Sequence, residues 1–376
     1  MPAPERPRRK TLIFHIGDHK TGSTSVQLAF AKGLVTLDRH SVFYPARLAS
    51  NTLGAQCRAY GNAETPEARQ KAARPFQKLA AQIQASNADF ALISAEALET
   101  VPAALFHEIA GTFFAGAADE IRIIGYVRPH AARILSSFAE RIKVGTPRAL
   151  RSDLDSFAAR RKEVGEFIYL PRFAAWREYF ADRFTLRPMI RSQLYQGDVV
   201  SDFIHHAFGG LAFTISGESQ ANESLCLEDL MRLKVLQKAL QQQSKDLRLK
   251  VGWEFSRLAG HLPPAPARTR LQLHRALSKT LRDSYLEDAR NMDRMFFSGE
   301  PLMQNELHAA VKKAIAKPQS AAPADHLSPS ELHGLTLMAG MISGLLDAGE
   351  VNWPAFLHGK RVRDAEAALQ PASAAE

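Results

Sequence analysis

Apolar residues recur along this chain in two periods. Residues 11–16 (TLIFHI) and 88–94 (ADFALIS) are short apolar runs of strand-forming residues, and 121–127 (IRIIGYV) and 184–190 (FTLRPMI) read as further strands. Residues 41–45 (SVFYP) read as a short edge strand. Between these runs the spacing changes to three or four. Ala72, Phe76, Leu79 and Ile83 line one stripe of a helix over residues 66–88, with Glu67, Arg69, Lys71 and Lys78 on its other faces. Residues 101–115 read as another helix with Gly116 just past its end. A third runs from His130 to about Lys143, with Ala131, Leu135, Phe138 and Ile142 as its stripe. Residues 51–65 are rich in Gly, Asn and Ala without a period, and read as a loop. Strands alternating with helices predict an α/β fold, a P-loop-like parallel sheet flanked by helices. Ligands of such sheets sit outside the carboxyl ends of the strands.

Beyond position 227 the pattern is mostly helical, over residues 227–245, 268–297, 304–317 and 328–346. Ser328-Pro-Ser-Glu331 has the form of a helix start, and the proline-bearing stretches 263–266 and 318–323 read as connectors. No internal repeat is present. The expected organisation is a basic disordered tail over 1–10, an α/β core over 11–236, a helical extension over 237–364 packed on that core, and a flexible tail over 365–376.

The richest chemistry lies in residues 11–32, TLIFHIGDHKTGSTSVQLAFAK. A strand runs into a polar, glycine-bearing loop and then into a helix that carries Val26, Ala29 and Phe30 at helical spacing. Loop N–H groups and a helix N-terminus together attract anions, and Lys20 adds a full charge in the same loop. Gly17 and Gly22 have the GxxxxG spacing of a P-loop, but Ser23 stands where an ATPase has its lysine. That shift argues against ordinary nucleoside triphosphate chemistry and keeps a phosphate cradle. A second anion element follows the strand 121–127, where Arg128 closes the strand and Ser136 lies eight residues on. Arginine suits phosphate because its planar fork binds in a bidentate way.

Both stretches resemble the two nucleotide-binding elements of sulfotransferases that use PAPS (3′-phosphoadenosine 5′-phosphosulfate), especially the bacterial and carbohydrate sulfotransferases. The loop resembles their strand, h-I-G-x-x-K-T-G-T/S-T/S-S, helix pattern; the family often has proline where His19 stands. The resemblance implies that Lys20, Thr21, Gly22, Ser23, Thr24 and Ser25 hold the 5′-phosphosulfate, and that Arg128 and Ser136 hold the 3′-phosphate. Pro129 comes one residue earlier than in the family's R-x-P form, and Ser137 adjoins the expected serine. Residues 194–209 (LYQGDVVSDFIHHAFG) and 221–236 (ANESLCLEDLMRLKVL) resemble further segments of the bacterial group more weakly. The implied activity is transfer of a sulfuryl group to a hydroxyl or amine acceptor, a glycan or small metabolite, with PAP as the desulfated product.

Sulfuryl transfer needs charge neutralised on the leaving oxygen and, as a rule, a base for the acceptor's proton. Lys20 fits the first role, and no metal is expected. Glu96, directly after the strand ALISA, is the first candidate for the base, with His19 and His130 as alternatives. A helix-N-terminal carboxylate is the plain structural alternative for Glu96.

Composition narrows the classes. The chain has 376 residues, 45% of them hydrophobic, enough for a sizeable core. Its net charge of +9 is scattered among carboxylates without an aromatic-interleaved basic stripe, so a nucleotide or anionic glycan is expected and nucleic acid is not. No apolar run reaches the ~20 residues of a membrane span, and no signal peptide is evident, so a cytoplasmic protein is expected. Cys57 and Cys226 lack metal-ligand spacing. A P-loop kinase-like phosphotransferase and a non-catalytic anion- or nucleic-acid-binding protein remain the alternatives. The acceptor and the oligomeric state are not encoded in any motif.

Overall fold

The computed structural model describes residues 9–18, 21–217, 225–263, 268–347 and 351–367. His19, Lys20, residues 1–8 of the expected tail, 221–224 of the N-x-S-L stretch, most of the 263–266 connector and the chain from 368 lie outside the described residues. The strands are β1 (Thr11–Ile16), β2 (Val35–Leu37), β3 (Val42–Phe43), β4 (Phe90–Ala95), β5 (Glu120–Val127), β6 (Phe184–Pro188) and β7 (Phe213–Ile215). The helices are α1 (Ser23–Ala31), α2 (Thr52–Gly61), α3 (Pro66–Ala85), α4 (Ala103–Ile109), α5 (His130–Lys143), α6 (Leu154–Glu163), α7 (Leu170–Phe180), α8 (Val199–Ala207), α9 (Leu227–Ala239), α10 (Lys245–His261), α11 (Arg275–Phe296), α12 (Leu302–Lys313), α13 (Pro329–Asp347) and α14 (Trp353–Ala367). The fold is α/β, a five-strand parallel sheet flanked by helices, with a helical C-terminal part.

The described residues form two compact units, both discontinuous in sequence. The first takes the chain through Arg128 and again from Tyr169 to residue 217; the second takes residues 129–168 and the described chain from 225 onward. The sequence reading instead placed one consecutive core over 11–236.

In the first unit the sheet order is β3-β4-β1-β5-β6, every pairing parallel. β1 is central and all six of its residues are buried, as a strand covered on both faces requires. Ile13 joins a cluster with Val26, Phe30, Val200 and Phe203 from α1 and α8. Phe14 faces the other way and meets Phe106 edge-on at 5.0 Å between centroids, and Phe106 in turn touches Trp176 of α7. Emptying a site like that of Phe14 costs about 3–5 kcal/mol. Val42 and Phe43 pair with β4 as the expected edge strand. β2 and β7 form a separate antiparallel pair.

In the second unit α5 packs against α9, α11 and α12. Its Ile134, Phe138 and Ile142 are fully buried. Among the described residues no helix is long and apolar enough to cross a membrane.

Several elements differ from the sequence expectation, and α6, α7, β2 and β7 lie in stretches to which it assigns no element. Residues 52–61, read as loop, form α2, because Leu53, Cys57 and Tyr60 make a one-residue-wide buried stripe that the surrounding Gly and Ala dilute. The helix expected over 101–115 is α4 followed by a π-turn at Ala110–Phe114. α10 was not foreseen. Only its Leu247 and Gly252 are buried, too few to write a period.

Candidate functional site

Parallel pairing brings the candidate strand ends side by side. β1 pairs β4 with Ile16 opposite Ala95, and pairs β5 with Ile16 opposite Gly125. The loop after Ile16, the turn that Glu96 begins and the residues after Val127 therefore leave one edge of one sheet.

The loop's geometry is set by its two glycines. Gly22 is the N-cap of α1 in the left-handed region, at φ 83°, ψ 8°. A Cβ there would lie 2.8 Å from a methyl of Val199, the first residue of α8, so both the turn and the close approach require glycine. A Cβ on Gly17 would lie 2.8 Å from Cγ of Glu96, which lets the β4 turn press against the loop. Thr21 is buried and its hydroxyl donates to the Asp18 carbonyl at 2.5 Å, closing the loop on itself. α1 carries neither a side-chain cap nor an acidic residue in its first turn, the condition under which its N–H groups present positive potential to a ligand. Thr24 and Ser25 lie half-buried in that turn, and Ser25 N–H donates to the Gly22 carbonyl at 3.0 Å.

Glu96 opens the turn Glu96–Thr100 and is half-buried, and its carboxylate accepts a hydrogen bond from the hydroxyl of the buried Ser23. Two residues placed on separate elements by the sequence reading thus touch. The contact fixes a carboxylate beside the first residue of α1.

Other polar residues around this site were not singled out from sequence. His15, one residue before the end of β1, sits opposite Ser94 of β4. Its Nδ1 lies 2.9 Å from Ser94 Oγ, which also accepts from Gln27 Nε2 of α1 at 3.1 Å. Gln27, Ser94 and the His15 imidazole thus form one buried chain of polar groups. Burial pushes the His15 pKa down to about 4, against the opposing pull of the Glu96 carboxylate, so the ring is neutral at neutral pH. The available signal was a polar residue at the same penultimate position of two apolar strands. Arg172 of α7 lies over the Phe173 ring at 4.5 Å and faces two buried carboxylates, Asp18 at 3.4 Å and Glu99 at 3.7 Å. It ties the start of the loop to the turn after β4.

Arg128 follows β5 and is half-buried, with its carbonyl accepting from the Tyr169 hydroxyl at 2.9 Å. Ser136 lies on α5 in the second unit, where its hydroxyl donates to the Arg133 carbonyl at 3.1 Å. His130, an alternative base from sequence, is 0% exposed and its Nε2 is 2.8 Å from Asp288 of α11, with Tyr285 stacked on the ring at 5.0 Å. A ring so enclosed does not meet an acceptor, and His130 is corrected to a structural residue of the helical unit. No protein-family model matches the chain, and no curated protein or solved structure does either.

Proposed function

We propose that the protein is a PAPS-dependent sulfotransferase, moving a sulfuryl group from PAPS to a hydroxyl or amine acceptor. The observation that carries the reading is the loop between β1 and α1. A left-handed Gly22 cap, an uncapped first turn without acidic residues and a lysine-bearing loop suit a phosphosulfate, and the Glu96 carboxylate lies against Ser23 at the same place. Arg128 follows the strand beside β1, and the family resemblance gives it the second phosphate. Ser136 enters the reading through the family resemblance alone.

In the reaction the acceptor oxygen or nitrogen forms a bond to sulfur as the bond from sulfur to the bridging phosphate oxygen breaks. Lys20 and the α1 N-terminus offset the charge that grows on that oxygen. Glu96 takes the acceptor's proton, and its bond from Ser23 orients the carboxylate. Arg172 and the His15–Ser94–Gln27 chain hold the loop and the β4 turn in register.

Titration with PAP, by calorimetry or thermal shift and without added metal, tests the reading. Saturable binding is expected, with Arg128→Ala weakening it by roughly 2–4 kcal/mol while adenosine 5′-phosphosulfate, lacking the 3′-phosphate, is affected much less. No shift at millimolar PAP removes the assignment, and stronger stabilisation by ATP with Mg²⁺ moves it to a phosphotransferase.

A further inference from the structure

The sheet unit contains a cavity of about 570 Å³, within the range of small-ligand sites, that the phosphate loop does not use. Tyr195, Gln196, Ser201, His205, Leu211 and Phe213 line it, and among the described residues no Lys, Arg, Asp or Glu does. One wall is a stacked pair, with the Tyr195 ring parallel to the His205 imidazole at 4.2 Å and 2°. Tyr195 is 39% exposed, so the pair presents aromatic surface to the cavity.

This wall is anchored from behind. Tyr195 N–H donates to Asp202 Oδ1 at 2.8 Å, and Asp202 is 0% exposed. The same carboxylate accepts from Arg187 Nη2 at 2.8 Å and from the Tyr126 hydroxyl at 2.7 Å. Ser201 and His205 are one turn apart on α8 and share a face. That helix begins at Val199, against Gly22, and His205 lies six residues on, about 9 Å along the axis. The cavity is therefore a rigid neighbour of the phosphate loop.

Its chemistry selects among ligands. A phosphate or sulfate finds no cation among the lining residues. An acyl chain would strip water from the Gln196 amide, the Ser201 hydroxyl and the imidazole without replacing their hydrogen bonds. A ring with one apolar C–H face and a rim of hydroxyls satisfies both halves of the lining, stacking on the aromatic wall and bonding the polar groups. We propose that this cavity is a subsite for one neutral sugar ring. That the ring belongs to the acceptor rests on the sulfotransferase reading.

Saturation-transfer NMR on the full chain, without nucleotide, tests it with maltose, cellobiose, lactose and N,N′-diacetylchitobiose as probes. At least one is expected to bind saturably at millimolar concentration. Tyr195→Ala is expected to weaken that binding about fivefold to tenfold, the size of a lost aromatic stack, and Tyr195→Phe to retain it. No saturable binding by any probe, unchanged binding in Tyr195→Ala, or displacement by inorganic phosphate overturns the subsite. PAP titrated against the same samples separates the two readings. Equal PAP affinity in wild type and Tyr195→Ala supports a distinct acceptor subsite, whereas sugar binding with no PAP binding keeps the subsite and overturns its role in sulfuryl transfer.

Discussion

The sheet unit and the helical unit both bury a histidine completely, and they treat it differently. His15 of the sheet unit bonds a serine hydroxyl within a chain of neutral groups, while the nearby carboxylate, Glu96, is bonded to the loop serine Ser23. His130 of the helical unit bonds a carboxylate directly, Asp288, under the Tyr285 ring. In the first case the carboxylate lies half-buried against Ser23 at the start of α1. In the second it is consumed in holding α5 to α11. A buried histidine therefore says little by itself; the two cases differ in whether the acidic neighbour bonds the ring or another group.

Substitutions can break that contrast. The largest effect is expected from Glu96→Gln, which keeps the acceptor for the Ser23 hydroxyl but removes the base. Turnover, assayed with labelled PAPS once an acceptor is found, should fall about 10²–10⁴-fold while PAP affinity and stability hold. Normal turnover would reassign the base and leave Glu96 as a loop support.

Next is the acid response of His15. Unfolded, it takes up a proton near 6.5; folded, not until about 4. Between these values acid favours the unfolded chain, so stability present above pH 6.5 is lost as pH falls toward 4, by up to about 3 kcal/mol. His15→Asn should be less stable throughout but lose correspondingly less over that interval in urea titrations. Parallel pH curves for the two proteins would show that the ring does not titrate in the folded state as described.

Asp288→Ala should cost about 2–3 kcal/mol of stability by leaving buried His130 without its partner, with PAP binding intact where the protein is folded. Loss of PAP affinity without loss of stability would falsify its assignment as a strut. The smallest effect is expected from Gly22→Ala, about 1–2 kcal/mol for a left-handed alanine. Adding Val199→Ala should recover only the part due to the close methyl, so full recovery would assign the whole cost to contact and none to φ.

How much of this was legible in sequence depended on whether the information was local. β1, β4 and β5 announce themselves because strands buried on both faces are apolar at nearly every residue, whereas the edge strand β6 alternates buried with more exposed positions. The loop was legible because glycine spacing, hydroxyls and a following helix are contiguous. The pairing of His15 with Ser94 was not, since it follows from the register of two strands 79 positions apart. Arg172 meets Asp18 across 154 positions and belongs to no motif. α10 escaped because a helix with two buried residues has no stripe to read. The contact of Ser23 with Glu96 lies between these cases: both residues were candidates, but only the sheet order makes them neighbours.

The excursion of the chain out of the sheet unit between Arg128 and Tyr169 has a consequence for synthesis. β5 leaves the ribosome with one edge unpaired, and its partner β6 begins only at Phe184. At ordinary elongation rates that delay is on the order of several seconds, long enough for an apolar strand edge to need protection. Neither unit can be released by cutting one terminus from the gene. A shortened version of the sheet unit would have to excise residues 129–168 and bridge the gap, and its yield would depend on how that splice treats the waiting edge of β5.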